Sequence, residues 1–91
     1  MKANNSKFTV TLESNKRTRR FKILQIFDNR TCEDVTNKHL ELSPTFNDGF
    51  LNEYDLMESL NWCLNGDSSK YRMKYGQGNK ETQIAYAYIF D

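Results

Sequence analysis

No apolar run in this sequence approaches the roughly 18 residues that a membrane-crossing helix requires, and no basic-then-apolar leader opens it. A cytosolic protein without a membrane partner is therefore expected. Cysteine is scarce: Cys32 and Cys63 stand 31 positions apart, without a CxxC or a companion histidine cluster. That spacing supports neither a zinc site nor a disulfide scaffold, so both thiols should be reduced. Histidine occurs once, at His39, among polar neighbours. A hydrolytic triad needs a nucleophile, a base and an orienting acid, and no nucleophile-elbow motif surrounds any serine. The only Gly-x-Gly, Gly76-Gln77-Gly78, lacks the lysine, Ser/Thr and following helix of a phosphate loop, and reads as a hairpin. Asp48, Glu53, Asp55 and Glu58 match no calcium-loop spacing, and Glu53 and Asp55 suit the positive end of a helix. No enzymatic activity, cofactor or metal is expected.

What the sequence does hold is a core's worth of side chains on a short chain. Its 91 residues allow one domain, 1–91, with no linker or low-complexity tract. Hydrophobic residues make up 37% and aromatics 13%, above the range in which chains stay disordered. Net charge is only +1, too small for nucleic-acid binding by bulk charge. The charge is segregated, however. Residues 1–30 carry eight bases against two acids, residues 31–69 one base against eight acids, and residues 70–91 four bases against two acids.

Hydrophobic periodicity then assigns the elements. Residues 7–13 alternate, with Phe8, Val10 and Leu12 on one side, and residues 20–28 form a second strand. In that strand Phe21, Ile23 and Phe27 face one way and Leu24 and Ile26 the other, which fits a central position. Asn15, tolerant of positive φ, opens the turn between them. Residues 30–42 favour one or two short strands through Val35, Leu40 and Leu42, with a helical turn capped by Thr31 together with Asp34 as the alternative. Residues 43–50 form a loop containing Pro44. A helix follows over 52–65, capped by Asn52 and ended by Gly66. Residues 70–76 place Lys70, Arg72 and Lys74 on one face and Tyr71, Met73 and Tyr75 on the other. Residues 82–90 place Ile84, Tyr86, Tyr88 and Phe90 on one side and Ala85, Ala87 and Ile89 on the other, the small residues allowing the helix to approach. The expected architecture is α+β: an antiparallel sheet of four to five strands with one helix on a face, in the order β-β-(β)-α-β-β. Val10, Leu12, Phe21, Ile23, Leu56, Leu60, Leu64, Ile84 and Tyr86 form its expected core.

One residue of the helix is out of place. Leu56, Met57, Leu60, Cys63 and Leu64 form the apolar stripe, but Trp62 falls on the far side with Tyr54 and Glu58. Two arrangements fit: the loop 43–51 covers the ring with Phe46, Phe50 and Leu51, or Trp62, Tyr54 and Glu58 form an exposed contact patch. Arg17, Arg19 and Arg20 make a second candidate surface in the first hairpin. Nucleic acid is the second choice of partner, because the tyrosines and bases of 70–75 alternate onto opposite faces and no RNA-recognition motif is present.

In size, in its ten asparagines, in the lack of catalytic groups and in its segregated charge, the chain resembles the small phage-encoded inhibitors of bacterial defence, the anti-CRISPR proteins. That resemblance implies a non-enzymatic inhibitor in the host cytoplasm. It would occlude a protein or ribonucleoprotein surface, through Trp62, Tyr54, Glu58, Arg17, Arg19 and Arg20.

Overall fold

The structure, a computed structural model, describes residues 6–37, 50–64 and 70–90, with Trp62 and Cys63 described by their backbone alone. Its elements are β1 (Phe8–Asn15), β2 (Arg20–Asp28), β3 (Glu33–Asp34), β4 (Leu51–Asn52), α1 (Glu53–Cys63), β5 (Tyr71–Gly78) and β6 (Thr82–Ile89). The strands form one sheet in the order β3-β2-β1-β6-β5, with β4 also beside β2, and every pairing is antiparallel. The fold is α+β, as its periodicity indicates. Leu51 and Asn52, expected as loop and cap, also pair with Phe21 and Arg20. They lead directly into α1, where the Asn52 side chain accepts from the Asp55 amide at 2.8 Å as N-cap. His39, Leu40, Leu42, Pro44, Phe46 and Gly66 lie outside the described residues.

The helix lays Leu56, Met57, Leu60 and Leu64 on the sheet, all buried. The face they cover is built by Phe8, Val10 and Leu12 of β1, Phe21, Ile23 and Ile26 of β2, and Ala85, Ala87 and Ile89 of β6. Two expectations are corrected here. The core of β6 is its small-residue side, so Ile84 and Tyr86 stand on the opposite face. The larger side chains of β1, β2 and the helix already fill most of the space between the layers, so the slim side of β6 fits there. In β2 the side-chain phase changes mid-strand: Leu12 pairs with Ile23 but Thr11 pairs with Gln25, so Leu24 is an inserted residue. This β-bulge leaves Leu24 43% exposed, buries Ile26, and turns Phe27 away from the face that holds Phe21 and Ile23.

Asn29, just after β2, is buried, and its polar groups are satisfied by residues 6–9. Its amide nitrogen donates to the Ser6 carbonyl at 3.1 Å and Ser6 Oγ at 2.9 Å, and lies 2.9 Å from Thr9 Oγ1. Its backbone N–H donates to the Lys7 carbonyl at 2.9 Å. Truncating the side chain would leave buried acceptors without donors. Asn29→Ala should therefore cost about 1–3 kcal/mol, read as a lower denaturation midpoint at unchanged slope.

Candidate functional site

The first hairpin is a rigid mount for arginines. Asn15 closes β1, and its side-chain oxygen accepts from the amides of Arg17 and Thr18 at 3.0 and 3.1 Å. Asn15 thus serves as an acceptor, and the positive φ expected for it belongs instead to Arg19, at 58°. The Arg19 N–H closes the turn onto the Asn15 carbonyl at 2.8 Å. Lys16 ties this turn to the one between β5 and β6. Its N–H donates to the Glu81 carbonyl at 2.8 Å and its ammonium to the Asn79 carbonyl at 2.6 Å. The second turn is capped in the same way, the Asn79 side chain accepting from the amides of Glu81 and Thr82 at 2.8 Å each. Arg17, Arg19, Arg20 and Lys80 are all exposed at this end of the sheet. Among the described residues none of the three arginines makes an ion pair.

The helix begins beside this basic end, because Arg20 pairs with Asn52. A hollow of about 540 Å³ lies between them, lined by Lys16, Arg19, Phe21, Glu53 and Tyr75 among others. Tyr54 is 76% exposed and Glu58, one turn on, is also exposed. Trp62 continues the same i, i+4 series about 15 Å beyond the N-cap, and its side chain lies outside the described residues. The six candidate residues therefore form two groups, the arginines at the sheet end and the helix series leading away from it.

Glu53 also fastens the helix to the far edge of the sheet, accepting from the Tyr71 hydroxyl at 2.6 Å. That hydrogen bond, with burial and the carboxylate's charge, pushes the Tyr71 pKa from 10 up to about 12. The protonated phenol is the stabilised form, so its contribution is complete below pH 10 and is lost as pH rises toward 12. An absorbance titration should show one phenol ionising near pH 12; that component should vanish in Tyr71→Phe and move down in Glu53→Gln. The carboxylates of Asp28 and Asp34 act at the other extreme. Burial would raise Asp28, but hydrogen bonds and charge from Arg30, with the Thr31 amide, outweigh it and hold it below 3.8. Asp34 is held below 3.8 by the Thr36 hydroxyl and amide and by Gln25. Both contributions are lost as pH falls below that value.

The face of the sheet away from the helix carries a grouping that single-strand periodicity missed. Reading β5 alone separates its bases from its tyrosines. The β5–β6 register, however, sets Arg72 opposite Tyr88 and Lys74 opposite Tyr86. The β6 tyrosines therefore share a face with the β5 bases. Their rings stack at 6.3 Å between centroids with 21° between planes, and the Arg72 guanidinium sits 5.7 Å from the centre of the Phe90 ring. On the same face, Thr11 and Gln25 continue the Tyr86 row and Thr9 and Phe27 the Tyr88 row. Register was the signal required, and Gly78 helps to set it: a Cβ there would lie 2.2 Å from the Thr82 carbonyl oxygen.

Among the described residues no group of three or more His, Cys, Asp or Glu comes together, and no helix is long and apolar enough to cross a membrane. Comparison with protein-family models, curated proteins and solved structures found no match to this chain.

Proposed function

We propose that the protein acts by binding rather than catalysis, docking its arginine turn on an anionic ribonucleoprotein surface and occluding it, as an inhibitor of a bacterial defence complex would. The observation that carries this reading is Arg19. A left-handed backbone favours glycine, and an arginine there costs on the order of 1 kcal/mol, yet the turn holds it with φ at 58°. The capped turn and the Lys16 tether hold the backbone that carries Arg17, Arg19 and Arg20, which lowers the backbone share of the ordering cost of binding. Guanidinium groups suit this role because their planar fork grips phosphate and carboxylate in pairs of hydrogen bonds.

Affinity capture from bacterial lysate, with and without ribonuclease, tests the reading. The wild-type chain should retain a ribonucleoprotein that Arg17→Ala/Arg19→Ala/Arg20→Ala loses, and ribonuclease should weaken the capture. Equal capture by the variant would refute it. Arg19→Gly separates structure from contact: it should gain up to about 1 kcal/mol of stability by relieving the backbone while losing affinity.

A further inference from the structure

We propose that the face of the sheet away from the helix binds single-stranded nucleic acid, with Tyr86 and Tyr88 as the stacking pair and Arg72 and Lys74 as phosphate contacts. The proposal rests on the binding reading above and names a second surface for it. Three observations converge. The two rings stand on adjacent same-side positions of one strand, 6.3 Å apart, so each can offer a flat face to a separate base. The two bases stand directly across the ladder from them, within the short distance of cross-strand neighbours. Neither phenol has a hydrogen-bond partner among the described residues, and both residues are half-buried, so part of each side chain stays accessible.

The surroundings extend the same chemistry. Phe90 lies under the Arg72 guanidinium, beside a hollow of about 440 Å³ that Lys70 and Tyr71 also line. At the other side of the face Lys22 is exposed on β2, opposite Glu13. Of the polar side chains in the rows between, Thr9 is engaged with Asn29 and Gln25 with Asp34, and Thr11 can offer a donor and an acceptor to a base edge. A duplex keeps its bases stacked on each other and out of reach of such a surface, so the ligand is single-stranded. Arg72 and Lys74, exposed along the edge strand β5, give this face a cationic margin that suits phosphates better than an apolar protein surface.

The test is a fluorescence-anisotropy titration of the full chain with a labelled single-stranded RNA of about ten nucleotides, and with its duplex. The single strand should bind more tightly than the duplex. Phosphate contacts by Arg72 and Lys74, with Lys22 and Lys70 at the margins of the face, would give a log–log salt slope near −3, and Arg72→Gln/Lys74→Gln should flatten it by about 1.4. Tyr86→Leu and Tyr88→Leu, which keep apolar bulk but remove the flat ring, should each weaken binding about 5- to 150-fold. Tyr86→Phe/Tyr88→Phe retains both rings and should bind as wild type; it keeps the test decisive if a leucine variant fails to fold. Absence of single-strand binding at low salt, preference for the duplex, or loss of binding in the phenylalanine variant would each overturn the proposal. Oligonucleotide binding lost only in the Arg17/Arg19/Arg20 variant would also overturn it, while leaving the arginine-turn reading intact. Ring-dependent binding with unchanged ribonucleoprotein capture by that arginine variant would do the reverse.

Discussion

Leu60→Ala is expected to destabilise the protein by about 2–5 kcal/mol. Leu60 is fully buried at the centre of the helix face, between Leu56 and Leu64, which are also buried. Beneath the helix the sheet face holds Val10 and Leu12 of β1, Phe21, Ile23 and Ile26 of β2, and Ala85, Ala87 and Ile89 of β6. Domains of this size have about 5–15 kcal/mol of stability in all, so the variant should unfold at a much lower denaturant concentration. A loss below about 1 kcal/mol would mean that α1 rests on the sheet by another side.

Ala85→Leu should be the second large effect, costing about 1–3 kcal/mol or more by overpacking. Ala85 pairs with Leu12 on one side and Tyr75 on the other, and is fully buried under the helix. Three added carbons would have to displace α1 or push Leu12 and Tyr75 off their rotamers. Ile84→Ala, one residue away on the face turned from the helix, removes bulk from a half-buried position and should cost less than Leu60→Ala. The pair of substitutions measures which side of β6 faces the helix. Equal tolerance at both positions would contradict the observed packing.

The inverse pattern was legible in β6 before any coordinates, yet it pointed two ways. Alternation placed Ala85, Ala87 and Ile89 on one side and Ile84, Tyr86 and Tyr88 on the other, and hydrophobicity alone favours the bulkier side as core. The helix decides otherwise. Its leucines and the larger core side chains of β1 and β2 already fill the gap, so β6 turns its slimmer side inward. In β2, likewise, alternation assigns Phe27 to the side of Phe21, because nothing in RFKILQIFD marks Leu24 as an inserted residue. The bulge exists through pairing with β1, a property of two strands rather than one.

What the sequence by itself determined was local: strands at alternating segments, the helix at its i, i+4 stripe with Asn52 as cap, the first hairpin turn, and the arginines exposed within it. These follow from backbone geometry and nearest-neighbour chemistry, which operate over a few residues. Only the tertiary structure decided the tether of Lys16 to Asn79, 63 residues away, and the left-handed backbone of Arg19. It also decided the union of Tyr86 and Tyr88 with Arg72 and Lys74. Each strand's own period is two, so either phase looks the same from within it. Register between strands selects one, and a shift of a single residue would have sent the tyrosines and the bases to opposite faces.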